Sequence, residues 1–349
     1  MRSLWQRFFH RRRATVKRVR PVAAATVVVP VDPPAMAQPI QPVMALAEIE
    51  DRFHRFVFSL PDRDTDEPSA FELATLKRLE LLSARFDIRS LPRLPSVLPQ
   101  LLRLLKNDNV AGRQLTALVG RDPLMVGEVM RVTGSVHYRS VQPIRSLQHA
   151  ILLLGQDGLR RVLIQHSMKP ILQANTGTFG HAAGERLWDH AERCAYACAL
   201  LGRNSGCDTF EAYLAGISCH SGTGAVIRLL NQLMPAPVAA LSAGFLASCA
   251  RLAAQLSLQA VRYWDLPSPI INALKERQYS EKSITASPLG AALSMADLLA
   301  TVQLLGEHGR IDPQLDLDHC WPGLFAPALL SRCRRELHHQ FPLEENARP

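Results

Sequence analysis

His190, Cys194 and Cys198 follow one another at intervals of four, so on a helix they lie along one face. Downstream, Cys219 and His220 are adjacent. Imidazole and thiolate together suit a soft cation such as zinc, which accepts tetrahedral Cys/His sets. A second reading is that Cys194 and Cys198 fill a core beside Ala195, Ala197 and Leu200, as small buried hydrophobes commonly do. We expect that packing role. Nucleophilic chemistry is a poorer fit. Neighbours on a helix point about 100° apart, which keeps Cys219 from pairing with His220 as nucleophile and base. Ser218 lacks a Gly-x-Ser-x-Gly setting. Gly222-Thr223-Gly224 has no Gly-Lys-Ser/Thr after it and is no phosphate loop; residues 221–224 read as a helix break. His137, Tyr138, Arg139 and Arg145 form a polar, aromatic segment between apolar stretches, a candidate binding loop. The alternative is that Tyr138 packs and the arginines are solvated. His338-His339 reads as solvated surface.

The elements that must position these residues are helical. The chain has 349 residues, enough for a sizeable core, and 47% are hydrophobic but only 6% aromatic. Such an aliphatic core favours Ala- and Leu-rich helices. Helices are expected at 46–60 and 70–86, from Ser96 through Leu105, around Leu115–Val119, after Asp122-Pro123, from Ser146 to Gly155 and from Asp157. Further helices are expected at about 184–203, 208–217, 223–233, 236–262, 267–277 and 287–304, with a last one around Leu329. Prolines fall at the gaps or first turns. No alternating strand and no repeat is visible. The expected class is all-α: a multi-helix bundle preceded by a helical N-terminal lobe and a disordered basic tail.

The net charge of +9 is a property of that tail. Eight of the 40 basic residues lie within 1–20, with no acid among them; the other 32 face 31 acids. A nucleic-acid reader with a basic folded face is therefore not indicated. The tail, 1–45, is Pro-rich and suited to disorder, though Leu4, Trp5, Phe8 and Phe9 among arginines could touch a membrane surface or nucleic acid. Seven cysteines without a CxxC pair read as reduced thiols of a cytoplasmic protein. No run of eighteen apolar residues suggests a membrane span.

Leu91-Pro92-Arg93-Leu94-Pro95, Arg121-Asp122-Pro123-Leu124-Met125 and Ile144-Arg145-Ser146-Leu147, continuing to Gly155, resemble in order and spacing the HDOD domain of bacterial signalling proteins. That family keeps the helical scaffold of HD-type metal phosphohydrolases without their ligand set. Thr133-Gly134-Ser135 departs from the family's Asn-Ser. In the second half, Leu187-Trp188-Asp189-His190 resembles the helix bearing the first HD histidine. Ala215-Gly216-Ile217-Ser218-Cys219-His220 resembles the approach to the His-Asp dyad. Tyr263-Trp264-Asp265-Leu266-Pro267 resembles a Trp-x-Leu-Pro signature, and Ala296-Asp297 the closing Ala-Asp segment. By register the vestigial HD positions are His190, Cys219, His220 and Asp297. The other expected histidines fall near Ala253 and Glu276-Arg277. The resemblance implies a domain at 89–304 between a lead-in at 46–88 and an extension at 305–349. It implies no catalytic residue, metal or cofactor, and action through protein partners in a pathway often involving cyclic di-GMP. Nucleotide binding at the vestigial pocket has no basic cluster at 180–300 to support it. The alternative is a divergent metal-dependent phosphohydrolase or phosphodiesterase using His190, His220 and Asp297.

Overall fold

In a computed structural model the described residues are 44–61, 67–84, 112–134, 144, 146–173, 177, 179–234, 240–278, 287–312, 315, 317 and 325–342. They form helices without strands, in the order α1 Leu46–Val57, α2 Ala70–Ala84, α3 Gly112–Val119, α4 Pro123–Thr133, α5 Leu147–Leu172, α6 Gly180–Asn204, α7 Thr209–Ser218, α8 Ser221–Leu233, α9 Ala243–Tyr263, α10 Ser268–Gln278, α11 Pro288–Glu307 and α12 Pro327–Gln340. The basic tail through residue 43, the Leu91–Pro95 motif and the expected helix from Ser96 lie outside the described residues.

Local chemistry sets the helix starts. Asp122 precedes Pro123 and its carboxylate accepts the Leu124 and Met125 N–H groups at 2.9 and 3.2 Å. That satisfies donors a helix start leaves bare, and proline at the first position costs none. Ser146, Asp208 and Ser287 cap α5, α7 and α11 in the same way. Gly155 kinks α5, with φ at 66°, a left-handed conformation that glycine adopts without strain.

The bundle core is α6, flanked by α7 and α11, with α10 against α11 and α9 against α8. α11 is long and apolar enough to cross a membrane, yet 78% of its apolar window is buried within the fold. Leu293, Ala296, Leu304 and Leu305 on it are completely shielded, which identifies a core helix. The lead-in is bolted to this bundle. Arg55 on α1 is fully buried; it reaches Asp51 at 2.5 Å and donates to the Leu241 carbonyl at 3.2 Å. Glu72 on α2 accepts the Ser69 N–H at 2.6 Å, with the Ser69 hydroxyl accepting the Glu72 N–H, a capping box. The other Glu72 oxygen takes the Ser242 N–H at 2.6 Å.

Several helix boundaries differ from expectation, two of them with a visible cause at the site. The helix expected at 236–262 begins at Ala243, because Ser242 turns out of helical geometry to cap it and gives its own N–H to Glu72. Residues 221–224 are not a break but the first turn of α8, with His220 as the N-cap residue; the break is a single corner at Cys219-His220.

Where α6 packs on α5, Gln165 Nε2 donates to Glu192 Oε1 at 2.9 Å. Burial, then the Asp189 carboxylate, push the Glu192 carboxyl from 4.5 up to about 7. Between these values the folded chain holds a proton that the unfolded chain has lost, so stability falls as pH rises through that window. Glu192→Gln keeps the acceptor and removes the charge. Its melting temperature should exceed that of the parent by a few degrees at pH about 8 and match it at pH about 4. Equal melting temperatures at both pH values would refute this.

Candidate functional site

Three helices and one corner assemble the site. His190 and Cys194 stand one turn apart on α6, and Asp297 and Thr301 one turn apart on α11. Cys219 and His220 form the α7–α8 corner, and Arg277 ends α10. Gly216 lets α7 lie against α6 beside Cys194: a Cβ there would sit 2.5 Å from Ala195 Cα. Gly222 does the same between α8 and α9, and its N–H is taken by Ser257 Oγ at 2.8 Å. From outside the corner, Phe53 of α1 packs against both imidazoles, tilted to His190 with centroids 4.5 Å apart and edge-on to His220 at 5.8 Å.

At the centre is one carboxylate with both oxygens engaged. Asp297 Oδ1 lies 2.7 Å from His220 Nε2, and Oδ2 accepts Arg277 Nε and a terminal guanidinium N–H at 3.1 and 2.6 Å. His190 Nε2 is 3.0 Å from Thr301 Oγ1 and 3.5 Å from Asp297 Oδ1, while its Nδ1 is buried with no hydrogen-bond partner among the described residues. The two imidazole rings meet edge to face with centroids 4.7 Å apart. Cys194 Sγ and Cys219 Sγ are 3.9 Å apart.

The charges follow from these contacts. Burial favours a neutral Asp297, but the Arg277 guanidinium and then His220 outweigh it and hold the carboxyl well below its ordinary range. Burial likewise opposes a charged His220, but Cys219 and the Asp297 carboxylate raise it to about 9. The charged ring then donates from Nε2 to Asp297 and directs Nδ1 to Thr223 Oγ1 at 3.4 Å. His190 is desolvated and sees the His220 charge, which lowers it to about 3; His54 falls to about 4 for the same reasons. One ring is thus charged and its neighbour neutral, and the salt bridge is shared by three residues.

Does this set fit the metal centre of a hydrolase? His190, His220 and Asp297 offer atoms within 4.8 Å of one another, as do Cys194, Cys219 and Asp297. Magnesium or manganese hydrolysis, however, wants several oxygen ligands and open positions for water and phosphate. Among the described residues a single carboxylate serves, a guanidinium already neutralises it, and the remaining donors are thiols and imidazoles, which suit a different class of cation. The residues do not fit a hydrolytic metal pair.

The helices bring together His190, Cys219, His220 and Asp297, the four positions aligned by register. His137, Tyr138, Arg139 and Arg145 lie outside the described residues. Arg277, Thr301 and Phe53 were not read as parts of this centre from sequence, whereas Cys194 was weighed beside His190 as a zinc ligand and assigned to packing. Arg277 stood where the register expected a histidine pair, which marked the position without revealing its cation. Phe53 was on the apolar side of its helix, but nothing in the chain's pattern says which rings it meets. Cys198, one turn beyond Cys194, is fully buried and takes no part in either donor group.

A model of the HDOD domain matches residues 91–279, more than half of the chain. An uncharacterised protein of Treponema pallidum (strain Nichols) is 22% identical over 222 residues; the match covers 60% of this chain and 41% of that relative's length. Among solved structures, an HDOD domain protein of unknown function from Geobacter sulfurreducens has a TM-score of 0.49 and 16% identity, covering 78% of this chain and 99% of that one. A provisionally named metal-dependent phosphohydrolase from Shewanella amazonensis SB2B has a TM-score of 0.49 and 13% identity, covering 77% and 100%. A provisionally named signal transduction protein from Marinobacter aquaeolei VT8 has a TM-score of 0.49 and 17% identity, covering 84% and 63%.

Proposed function

This chain belongs to the HDOD family, and from that membership we propose a regulatory protein of bacterial signal transduction that acts through protein contacts and makes or breaks no bond. The observation that carries the reading is the saturation of Asp297: its oxygens are taken by His220 and Arg277, so the sole carboxylate of the centre among the described residues is spent on an internal ion pair. A buried pair of this kind holds a fold in one arrangement and takes this carboxylate out of base or metal duty. A link to cyclic di-GMP pathways, a cytoplasmic location and the division at 45, 88 and 304 belong to the same proposal. The rival reading is a divergent phosphohydrolase or phosphodiesterase, the activity in the provisional name of the Shewanella protein.

One experiment separates them. The purified full chain is assayed for release of phosphate and for cleavage of phosphodiesters, cyclic dinucleotides included, with manganese or zinc added. It is also used as bait for affinity purification, with and without residues 1–45, and each captured protein is titrated calorimetrically. We expect no turnover and a complex of fixed stoichiometry. Turnover that disappears in His190→Ala would replace this reading with the rival.

A further inference from the structure

We propose that Cys194 and Cys219 are a redox-active pair: a hydroperoxide oxidises Cys219, and Cys194 closes a disulfide on it that ties α6 to the α7–α8 corner. This goes beyond the regulatory reading, because the chain's own side chains are modified and no substrate is turned over.

The first argument is position. Cys194 Sγ and Cys219 Sγ are 3.9 Å apart, close enough for an S–H to bridge them, and both thiols are free. They come from different elements, α6 and the residue that ends α7, so helical spacing does not bring them together. Gly216 holds the backbones close: a Cβ on it would stand 2.5 Å from Ala195 Cα and 2.8 Å from the Cys194 carbonyl oxygen. A disulfide sets its sulfurs about 2.05 Å apart, so about 1.9 Å of approach remains. The chain leaves helical geometry at His220, with φ at −104° and ψ at 13°, so side-chain rotation and a small shift of the corner supply that approach without unwinding a helix.

The second argument is polarity. Burial favours the neutral thiol at Cys219, but the Cys194 S–H, then the His220 imidazolium and the Arg277 guanidinium, outweigh it and hold Cys219 below its usual value. The same contact, then burial, pushes Cys194 well above. The Gly216 carbonyl, 3.1 Å from Cys219 Sγ, accepts the proton of the thiol form. The thiolate is the form that attacks an O–O bond. One sulfur is therefore set to attack, and the other keeps its proton until it resolves the product.

The third argument is access. Both thiols are shielded, which keeps out bulky oxidants. The centre opens at Arg277 and Asp297, whose side chains keep 24% and 19% of their exposure. Arg277 is also one of the charges acting on Cys219, so the opening lies beside the sulfur. Hydrogen peroxide is little larger than water.

The chemistry balances with hydrogen peroxide as the oxidant. The Cys219 thiolate attacks one peroxide oxygen, the O–O bond breaks, and the sulfur becomes a sulfenic acid. The hydroxide that leaves takes the His220 proton and departs as water. The Cys194 sulfur then attacks the Cys219 sulfur. The S–S bond forms, the S–O bond breaks, and the hydroxyl leaves with the Cys194 proton as a second water. The two thiols together lose two electrons, and one peroxide is reduced to two waters. The Cys219 anion is the strongest of the influences that raise His220. The disulfide removes it, so oxidation changes the ring bonded to Asp297 and reaches the ion pair of the centre.

The test treats the folded, reduced full-length chain with hydrogen peroxide in small excess and counts thiols after unfolding. We expect two fewer than the seven of the reduced chain and a mass map that joins Cys194 to Cys219, both reversed by dithiothreitol. Cys194→Ala should instead accumulate a sulfenic acid on Cys219, trapped by dimedone, and Cys219→Ala should leave Cys194 unreacted. Cys198→Ala, one turn from Cys194, should form the link as the parent does. Should a variant fail to fold, the map of the parent decides alone. Seven thiols left intact, a link through other cysteines, or oxidation that dithiothreitol does not reverse would overturn the pair. A sulfenic acid on Cys194 in place of Cys219 would do the same. None of these readouts measures turnover or partner binding, so the regulatory reading stands or falls separately.

Discussion

Arg277→Ala should destabilise the chain by about 3 kcal/mol and be the most damaging side-chain truncation at the centre. Removing one partner of a buried ion pair typically costs about 3–5 kcal/mol, because the other charge is left without compensation. The Arg277 and Asp297 side chains keep 24% and 19% of their exposure, which argues for the lower end of that range. His220 alone cannot compensate, since it reaches only Oδ1. Urea denaturation gives the test: the midpoint should fall with little change in slope. Arg277→Ala with Asp297→Asn should recover part of the loss, because the uncompensated charge is gone. The pH dependence has a definite sign. Asp297 titrates below its ordinary range when folded, so the stability it contributes is present above that range and is lost as pH falls through the folded value. Parent and variant should therefore converge in strong acid. A variant as stable as the parent at neutral pH would remove the ion pair as the organising contact of the site.

Gly222→Ala should be comparably severe for a different reason. A Cβ at residue 222 would stand 1.9 Å from the Ala253 carbonyl oxygen and 2.5 Å from the Ser257 nitrogen. Both are backbone atoms of α9 and no rotamer change moves them. α8 and α9 would have to separate, breaking the Gly222 N–H bond to Ser257 Oγ and shifting His220 two residues upstream. Overpacking of this kind costs about 3 kcal/mol or more, beyond the roughly 1 kcal/mol that alanine gains over glycine in a helix. Gly127 on α4 is the contrast: nothing lies within 4 Å of its missing Cβ. Gly127→Ala should stabilise by up to about 1 kcal/mol. Thermal melts of the two variants should move in opposite directions. A rise or no change for Gly222→Ala would mean that α8 and α9 are not in the contact described.

Much of the architecture is legible in one dimension because its causes are local. Asp122 before Pro123, Ser146, and Gly155 act within a few residues of themselves, so the start of α4, the start of α5 and its kink can be read from the chain. Four-residue spacing puts His190 and Cys194 on one face of α6 before any fold is known. Family register aligns Cys219, His220 and Asp297 with positions of the same centre. Periodicity does not tell which face meets which. Ser242 starts α9 late because Glu72, 170 positions away, takes its N–H. Cys194 meets Cys219 because Gly216 removes the side chain that would keep their helices apart, and glycine in a sequence does not say what approaches it. Arg277 in the sequence is a lost ligand; in the fold it is the cation of the site. The amino-acid order determined the helices, their caps and the residues available at the centre. The tertiary structure alone decided their partners, since ion pairs and donor sets depend on distances across helices that no local rule specifies.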